Sequence, residues 1–302
     1  MNLLVTGAFN CSNEDLSVLA NMGNNVIFHK YEDQQLPCDY EWVEGVICNG
    51  LFLNHPIEKF VNLKYIQLTS AGFDRVDMDY VKSHNIEIHN ARGVYSTPMA
   101  EFAVCGVLDI YKQSRFFAEN QKKHVWEKHR GLMELNGKTV SIVGAGNVGT
   151  ECAKRFKAFD TTVYAVDIAK PCGDKYDKYF ALDSITDAIS ESDVVVLTLP
   201  LTEQTRNMFD KKMFSCFKQG AVVVNIARGA IVNQSDLVDA LQNNKLFGAV
   251  LDVFETEPLP TDSPLWDMPN VIITPHNSFV GGGNYTRLTD VAIKNLKFFC
   301  SE

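Results

Sequence analysis

The fold of this chain is decided by one stretch of sequence, Val140-Ser-Ile-Val-Gly144-Ala-Gly146-Asn147-Val148-Gly149. An apolar run typical of a buried strand leads into the pattern G-x-G-x-x-G, and a helical pattern follows around Thr150–Phe156. In such a turn Gly144 permits the tight bend, Gly146 lets a pyrophosphate approach the backbone, and Gly149 allows close helix–strand packing. Because the helix N-terminus adds free N–H groups and a positive dipole end, the stretch predicts a dinucleotide site.

The sequence after the glycine turn completes a strand-turn-helix-strand unit. A second candidate strand, Thr162–Asp167, ends in a carboxylate 18 residues after Gly149, close to the expected spacing of about 20. Asp167 would accept hydrogen bonds from the adenosine ribose and repel a 2′-phosphate, which favours NAD over NADP. A glycine turn in some other α/β fold is the alternative, and the complete context favours the dinucleotide site.

Short β-branched runs alternate with helical stretches along the chain, which predicts βαβ units and parallel sheets. The runs form two groups, and each group is expected to make its own sheet. The first group comprises Asn2–Thr6, Asn25–His29, Gly45–Cys48, Lys64–Thr69 and Ile86–His89, with helical stretches at Glu14–Met22 and Pro56–Phe60. The second comprises Thr139–Val143, Thr162–Asp167, Asp193–Leu199, Ala221–Ile226, Ala249–Phe254 and Val271–Thr274.

Two features mark the expected domain boundaries. Thr97-Pro98 is a good helix start, and the apolar stretch after it predicts a helix packed between domains or against another subunit. Gly281–Gly283 is free to take unusual backbone angles and precedes a terminal helix with an apolar stripe. We therefore predict one domain over residues 97–278 and a second over residues 1–96 and 279–302.

The composition excludes several classes of protein. With 302 residues, 46% apolar and 22% charged, the chain is of ordinary globular composition and long enough for about two domains. Its net charge of −9 has the wrong sign for neutralising a phosphate backbone, which argues against nucleic acid as a partner. The eight cysteines form no C-x-x-C pair and have no histidine at metal-ligand spacing, so we interpret them as reduced thiols and expect no metal. Without a signal peptide or membrane-length apolar run, a cytoplasmic location is expected.

Three polar segments follow successive strands of the second group, at the edge where ligands bind in open α/β sheets. Arg228 follows one strand, two or three acids including Glu257 follow the next, and His276 follows the last. An arginine can hold a carboxylate through paired hydrogen bonds, a histidine can exchange a proton, and a glutamate can orient the imidazole. These roles, with a hydride from NADH, are the requirements of carbonyl reduction.

Each of these side chains also has an ordinary structural explanation. Arg228 could form a surface ion pair, Glu257 could be a loop acid before proline, and His276 could cap a helix. Their combination beside a dinucleotide pattern favours the catalytic interpretation.

The residues quoted above resemble the D-isomer-specific 2-hydroxyacid dehydrogenases. The resemblance runs from about Val61 to Phe299, with several motifs in the right order. Besides the glycine turn and Asp167, it rests on the segments Leu199–Thr205, Asn225–Gly229, Asp252–Pro258 and Thr274–His276.

The resemblance implies two doubly wound α/β domains: an inserted Rossmann-type NAD-binding domain and a discontinuous, flavodoxin-like substrate domain, with a cleft between them and a homodimer as the assembly. It makes Arg228, Glu257 and His276 the catalytic set, with Arg228 holding the 2-oxo acid and His276 acting as acid/base. The expected cofactor contacts are Gly144, Gly146, Asn147, Val148, Gly149, Asp167, Pro200, Thr205, Ile226, Ala227 and Asp252.

Substrate recognition is the least specified part of the resemblance. Ser70-Ala71-Gly72 is similar to the loop that receives the substrate carboxylate, and Leu51 and Phe52 are candidates for the pocket around the substrate side chain. The segment after His276, Asn277-Ser-Phe279, departs from the small-residue pattern of the family, which leaves the identity of the 2-oxo acid open.

The expected function is NAD(H)-dependent interconversion of a small 2-oxo acid and a D-2-hydroxy acid. A dinucleotide-sensing interaction protein, like the corepressors of the same family, is the alternative, and the absence of long polar tails favours the enzyme. Formate dehydrogenase is a weaker match because it lacks a carboxylate at the position of Glu257. Phosphoglycerate would require extra cations, for which Arg75 and Arg92 are the only nearby candidates.

Overall fold

The computed structural model describes residues 1–300, and the chain divides into two compact units. The first unit comprises Met1–Tyr95 and the segment from Gly281 onward, and the second comprises Ser96–Val280. The second unit is therefore inserted into the sequence of the first.

The strands and helices are numbered along the chain. The strands are β1 (Asn2–Thr6), β2 (Asn25–His29), β3 (Gly45–Cys48), β4 (Tyr65–Leu68), β5 (Glu87–His89), β6 (Thr139–Val143), β7 (Thr162–Asp167), β8 (Lys178–Ala181), β9 (Val194–Leu197), β10 (Ala221–Asn225), β11 (Leu246–Leu251) and β12 (Val271–Ile273). The helices are α1 (Asn13–Asn21), α2 (Met78–Ser83), α3 (Ser96–Tyr111), α4 (Ser114–Lys122), α5 (Asn147–Lys157), α6 (Ile185–Glu191), α7 (Lys211–Cys216), α8 (Gln234–Gln242) and α9 (Asn284–Phe299).

Both sheets are parallel and doubly wound. The first unit has the strand order β2-β1-β3-β4-β5, which is the flavodoxin-like order. The second unit has the order β12-β11-β10-β9-β6-β7-β8, which extends the Rossmann order by one strand. The predicted fold class is confirmed.

The central strands of the second unit are apolar on both faces because helices cover both sides. In β9, Val194 and Val196 belong to one hydrophobic cluster, and Val195 and Leu197 belong to the other. All four side chains are fully buried. This burial explains the continuous apolar runs, since an alternating pattern would be expected of a sheet with one wet face.

Helix α3 packs within its own unit. Ala100, Ala103 and Val107 lie in the cluster that covers one face of the second sheet, and Gly106 approaches Val250 so closely that a Cβ would lie 2.5 Å from a Val250 methyl group. The apolar character of this helix is thus explained by contacts with α5 and the sheet. The expectation that another domain or subunit also packs against this helix stays a prediction.

Several element boundaries differ from those predicted. The strand expected at Ala249–Phe254 is β11, which begins at Leu246 and ends at Leu251, because the carboxylate of Asp252 turns to bind the loop after β12. Pro56–Phe60 contains only a short 3₁₀ turn. Strand β8 and helix α4 were not predicted, since an edge strand carries little apolar periodicity and α4 is short and mostly polar.

Candidate active site

The glycine turn between β6 and α5 has the geometry that its three glycines require. Gly144 adopts φ +103°, and a Cβ there would lie 2.8 Å from the backbone of Thr198. A Cβ on Gly149 would lie 2.1 Å from the carbonyl oxygen of Gly144. A Cβ on Gly146, in contrast, would meet nothing within 4 Å, so the space above this residue is open. Neither close packing nor a positive φ therefore requires a glycine at this position.

Helix α5 begins at the turn, three residues earlier than the sequence pattern indicated. Its N-cap is Gly146, and its first helical residues are Asn147, Val148 and Gly149. In the first turn of this helix, the first N–H with an acceptor is that of Thr150, which donates to the Gly146 carbonyl. Within residues 1–300 the N–H groups of the first three helical residues have no acceptor. They form a set of donors suited to phosphate oxygens.

Asp167 is tied to the glycine turn. Its Oδ2 accepts the N–H of Ala145 at 2.6 Å, and its Oδ1 accepts the N–H of Ile168 at 2.7 Å. The half-buried carboxylate therefore lies beside the turn at the carboxyl end of β7. Each carboxylate oxygen can accept a further hydrogen bond, which leaves capacity for ribose hydroxyls.

Thr198 is a residue of the turn that the sequence reasoning missed. Its hydroxyl donates to the carbonyl oxygen of Gly144 at 2.6 Å, and so connects the end of β9 to the turn. A hydroxyl at the end of an otherwise apolar strand run, Val194-Val-Val-Leu-Thr198, is the signal that could have identified it.

The segment after β9 forms a compact turn of its own. Thr205 is buried, its hydroxyl donates to the Pro200 carbonyl at 2.8 Å, and it accepts the N–H of Thr202 at 2.8 Å. Pro200 itself is exposed. The side chain of Thr205 thus shapes this turn from inside, and Pro200 lies on its exposed surface.

Arg228, Asp252 and His276 follow the neighbouring strands β10, β11 and β12, all at the carboxyl edge of the sheet. Gly229, next to Arg228, packs so tightly on the neighbouring segment that a Cβ would lie 1.9 Å from the Phe254 carbonyl. This close approach joins the arginine segment to the segment that carries Glu257. Arg228, Glu257 and His276 therefore all lie on segments that follow neighbouring strands at this edge of the sheet.

His276 and Glu257 are hydrogen-bonded. Nδ1 of His276 lies 2.8 Å from Oε2 of Glu257, and the two side chains are 45% and 37% exposed. The other carboxylate oxygen, Oε1, accepts the N–H of Phe254 at 3.0 Å. Since an ionised carboxylate only accepts, Nδ1 carries the hydrogen and Nε2 is left for another partner. His276 is in the left-handed region with φ +51°.

Asp252 organises the loop that carries His276. It is buried, its Oδ1 accepts the Thr274 hydroxyl at 2.6 Å and the Asn277 N–H at 2.7 Å, and its Oδ2 accepts the Ser278 N–H at 2.9 Å. Its carbonyl oxygen also accepts the N–H of His276 at 2.8 Å. Thr274 and Ser278 were not identified from the sequence, because only the folded loop brings them to the carboxylate.

Arg228 is exposed, and within residues 1–300 its guanidinium makes one hydrogen bond. Nη1 donates to the carbonyl oxygen of Ala227 at 2.7 Å. The preceding residues Ile226 and Ala227 are buried, and the buried amide of Asn225 donates to the Arg228 carbonyl and accepts the Ala227 N–H. The backbone under Arg228 is therefore rigid, while most of its N–H donors remain available to a ligand.

The Ser70–Gly72 turn belongs to the first unit. The Ser70 hydroxyl donates to the Gly72 carbonyl at 3.0 Å, and the Asn90 amide donates to the Ala71 carbonyl at 2.6 Å. Within residues 1–300 the N–H groups of Ala71 and Gly72 have no acceptor. The carbonyl oxygens of Ala71 and Gly72 thus accept hydrogen bonds from the protein, and the two backbone N–H groups can donate to a ligand.

Helix α5 contains one cysteine, Cys152, and its thiol is not a nucleophile at neutral pH. Burial raises the pKa of Cys152 in α5 to about 12, so this thiol stays protonated at neutral pH. All eight cysteines are unpaired.

Residues 1–300 contain no group of three or more His, Cys, Asp or Glu side chains placed to hold a metal ion. In the same residues no helix is long and apolar enough to cross a bilayer.

A Rossmann-type unit with this glycine turn, and an imidazole–carboxylate pair with an arginine at the same sheet edge, define the class of nicotinamide-dependent dehydrogenases. Residues 104–278 match the family model described as D-isomer specific 2-hydroxyacid dehydrogenase, NAD binding domain. The chain belongs to this family, as the sequence resemblance predicted, and it is an NAD-dependent enzyme.

Similar proteins cover most of the chain. A hydroxypyruvate reductase of Thermotoga maritima is 36% identical over 225 residues, which are 73% of this chain and 72% of that protein. A family protein of Aeromonas salmonicida has a solved structure with a TM-score of 0.84 and 28% identity, covering 99% of this chain and 95% of that one. A D-lactate dehydrogenase of Aquifex aeolicus, solved with NAD and lactic acid, has a TM-score of 0.77 and 26% identity, covering 99% and 96%.

Proposed function

We propose that this protein reduces a small 2-oxo acid to the D-2-hydroxy acid with NADH and catalyses the reverse reaction. The observation that carries the proposal is the hydrogen bond between His276 Nδ1 and Glu257 Oε2, at the sheet edge that also carries Arg228. An oriented imidazole can exchange a proton with the oxygen of the substrate, and an arginine can bind its carboxylate.

In the proposed reduction, His276 donates a proton through Nε2 to the carbonyl oxygen of the 2-oxo acid. The imidazolium that donates is stabilised by the carboxylate of Glu257 at Nδ1. After donation Nδ1 still carries its hydrogen, so the neutral imidazole presents a lone pair at Nε2. That form accepts the hydroxyl proton in the oxidation direction, so one pair serves both directions.

Arg228 holds the substrate carboxylate in this proposal. Its exposed guanidinium sits on a buried, hydrogen-bonded backbone, so the fork can bind two carboxylate oxygens without a large loss of backbone freedom. The unpaired N–H groups of Ala71 and Gly72 support a second role in carboxylate binding for the Ser70–Gly72 turn of the first unit.

The residues around the glycine turn fit a dinucleotide. We propose that the free N–H groups of Asn147, Val148 and Gly149 bind the pyrophosphate and that Asp167 binds the adenosine ribose. The open space above Gly146 supports a close approach of the pyrophosphate to the backbone. Further contacts are proposed at the sheet edge and the turn after β9, namely from Pro200 and from the backbone of the buried residues Thr205, Ile226, Ala227 and Asp252. When bound, NADH supplies the hydride that reduces the carbonyl carbon.

The relatives indicate which acids to test first. The Thermotoga maritima relative is a hydroxypyruvate reductase, and the Aquifex aeolicus structure contains lactic acid. We propose that the substrate of this chain is a 2-oxo acid of comparable size.

The test is NADH oxidation by the purified protein with glyoxylate, hydroxypyruvate, pyruvate, and branched and aromatic 2-oxo acids, with NADPH measured in parallel. At least one acid should be reduced, and where the product is chiral only its D-enantiomer should be oxidised. His276→Ala should lower kcat by roughly 10²–10⁴-fold while NADH still binds, because general acid catalysis contributes a rate factor of about that size.

Two results would contradict the proposal. A His276→Ala variant that keeps the wild-type rate would remove this histidine from the mechanism. Tight NADH binding without reduction of any 2-oxo acid would instead favour a dinucleotide-sensing interaction protein.

We also propose a homodimer. The segment Lys112–Arg130 carries six Lys or Arg residues and two Glu residues in a chain of net charge −9, and its Trp126 is 97% exposed. A second copy offers both an acidic surface for the basic segment and cover for the indole. Sedimentation of the wild type should give a dimer, and Trp126→Ala should weaken it; a wild-type monomer at micromolar concentration would contradict the proposal.

We propose a cytoplasmic location as well, which the eight unpaired cysteines support, since a reducing compartment keeps thiols free. Fractionation of cells that express the native gene tests this, and recovery of the protein outside the cytoplasmic fraction would contradict it.

A further inference from the structure

The peptide between Gly144 and Ala145 is held at both of its polar ends. Its carbonyl oxygen accepts the Thr198 hydroxyl at 2.6 Å, and its N–H donates to Oδ2 of Asp167 at 2.6 Å. Within residues 1–300 no other group donates to this carbonyl oxygen. A hydroxyl has one hydrogen to donate, and the Val143 carbonyl lies farther away at 3.2 Å, so we assign that hydrogen to Gly144. The orientation of this one peptide plane therefore depends on two side chains.

The two side chains reach the peptide from opposite sides of β6. Thr198 directly follows β9, and Asp167 is the last residue of β7. In the sheet order, β9 and β7 are the two neighbours of β6, whose chain continues into Gly144. All of these residues belong to the second unit. The start of the glycine turn is thus held between the ends of the strands on either side.

The glycine at this position explains why the following peptide needs two partners. Gly144 has φ +103°, and its N–H donates to the Val166 carbonyl at 2.8 Å, so the residue itself is fixed. Without a Cβ, however, a glycine restricts the rotation of the next peptide less than any other residue does. Such a rotation would exchange the directions of the C=O and N–H groups. The Thr198 hydroxyl opposes it, because the rotation would leave the carbonyl oxygen without its donor.

The direction of this carbonyl matters for the electrostatics of the turn. A pyrophosphate is bound by N–H groups and repelled by carbonyl oxygens. The Thr198 hydroxyl binds the Gly144 carbonyl oxygen, which precedes the free N–H groups of Asn147, Val148 and Gly149. Gly149 also packs on this carbonyl, since a Cβ there would lie 2.1 Å from the oxygen. A carbonyl that turned away from Thr198 would therefore change both the charge that an anion meets and the packing at the start of α5.

We propose that Thr198 is a positioning residue of the cofactor site, whose hydroxyl fixes the Gly144–Ala145 peptide so that the turn presents N–H groups to the pyrophosphate of NADH. The proposal rests on the cofactor site of the proposed function, because it concerns the same turn. Thr198 acts through the backbone and not through contact with the cofactor.

The test measures the Kd for NADH by fluorescence, without a 2-oxo acid, in Thr198→Val and Thr198→Ser. Valine keeps the branched shape and removes the hydroxyl, whereas serine keeps the hydroxyl and removes the methyl group. Thr198→Val should raise the Kd by about fivefold, the size expected from the loss of one hydrogen bond. Thr198→Ser should bind NADH as the wild type does. Thr198→Ala, which also lacks the hydroxyl, serves if Thr198→Val does not fold.

A second measurement separates this role from general damage to the unit. Arg228, Glu257 and His276 lie in the same unit, so a loosened unit would slow the chemical step as well. A displaced glycine turn should instead raise the KM for NADH without lowering kcat at saturating NADH. A fall of kcat in Thr198→Val together with the loss of affinity would overturn the role of Thr198.

Ser192→Ala is the matched control. Ser192 is fully buried just before β9, at the end of this strand opposite to Thr198, and its hydroxyl donates to the Ala188 carbonyl at 2.8 Å. The variant also loses a hydrogen bond between a hydroxyl and a backbone carbonyl. Its melting temperature should fall, while its Kd for NADH should stay that of the wild type.

The outcomes separate the two proposals. An unchanged Kd in Thr198→Val would overturn the role of Thr198 and leave the proposed function intact. NADH binding in Thr198→Ser or Ser192→Ala as weak as in Thr198→Val would also overturn it, because the hydroxyl on the Gly144 carbonyl would then not be the cause. A wild type that binds NADH but reduces no 2-oxo acid would overturn the proposed function alone. A wild type that binds no NADH would overturn both.

Discussion

Nδ1 of His276 donates to Oε2 of Glu257 at 2.8 Å, while Oε1 of the same carboxylate holds the N–H of Phe254. Replacing Glu257 by glutamine keeps the size of the side chain and removes the charge that stabilises the imidazolium. We expect kcat/KM for 2-oxo acid reduction to fall by about tenfold or more, as the loss of a charge-assisted hydrogen bond costs roughly 1.5–3 kcal/mol. NADH affinity, measured by fluorescence, should change little.

The measurement is kcat/KM in both reaction directions for Glu257→Gln and the wild type. Glu255→Gln is the control and should keep the wild-type rates, since Glu255 accepts the N–H of Gln234 at 2.9 Å and not a proton of His276. Unchanged rates in Glu257→Gln, or an equal loss in Glu255→Gln, would be inconsistent with the proposed pair.

Arg228→Lys tests whether a planar fork is needed. A lysine keeps the charge but cannot bind both carboxylate oxygens in two-point geometry. We expect kcat/KM for the 2-oxo acid to fall by about 10-fold or more, as the loss of one charge-assisted hydrogen bond costs roughly 1.5–3 kcal/mol. NADH affinity, measured by fluorescence, should change little. Near-wild-type kinetics in Arg228→Lys would exclude two-point binding.

Two substitutions in the glycine turn should separate an effect on cofactor binding from an effect on stability. Gly146→Ala places a methyl group in open space, so its melting temperature should equal that of the wild type while its Kd for NADH rises by about tenfold or more, the effect of roughly 1.4 kcal/mol. Gly149→Ala drives a methyl group against the Gly144 carbonyl and should lose about 1–3 kcal/mol of stability.

Gly282→Ala is the control for this pair, because a Cβ there also meets nothing within 4 Å and the residue lies in the other unit. It should change neither property. Unchanged NADH affinity in Gly146→Ala would show that the cofactor does not approach this backbone.

Asp167→Ala should reduce the preference for NADH over NADPH. The substitution removes an acceptor for the ribose hydroxyls and the charge that repels a 2′-phosphate. It also frees the Ala145 N–H, which loosens the turn for both cofactors, so the ratio of the two kcat/KM values is the informative quantity. We expect this ratio to fall by about tenfold or more. Asp167→Asn, which keeps one acceptor for Ala145, should lower the ratio with less loss of absolute activity.

Asp193 gives a prediction about stability and pH. Burial raises its pKa, but hydrogen bonds from Lys218 and the Thr139 N–H, with the charge of Lys138, outweigh that effect and hold the pKa below its ordinary value. A depressed carboxyl pKa contributes stability that is present above the unfolded-state value of about 3.9 and lost as the pH falls below it. Asp193→Asn should therefore destabilise the protein by about 1–3 kcal/mol at pH 7.

Thermal melts of Asp193→Asn and the wild type at a series of pH values check this. The difference between them should persist at pH 5 and shrink below about pH 4. Asp239→Asn, at an exposed position of α8, should behave like the wild type. A difference that grows toward acid would have the wrong sign for the proposed ion pairs.

Local sequence was sufficient for the architecture and for the glycine turn. Apolar runs such as Val140–Val143 and Ala221–Asn225 form strands because their period and β-branched side chains suit a sheet covered on both faces. The order of strand, glycine pattern, helix and acid is a short-range property, so Asp167 could be placed beside the turn from spacing alone.

Only the tertiary structure decided which groups touch. Several acids follow β11, and the fold brings Glu257 to His276 and sends Glu255 to the N-terminus of α8. Likewise, Glu32 meets Thr6 and the turn after β3 because parallel strands far apart in sequence end at one edge. Periodicity and spacing report which residues leave a strand, but a hydrogen bond depends on distances of a few tenths of an ångström that packing of the whole chain sets.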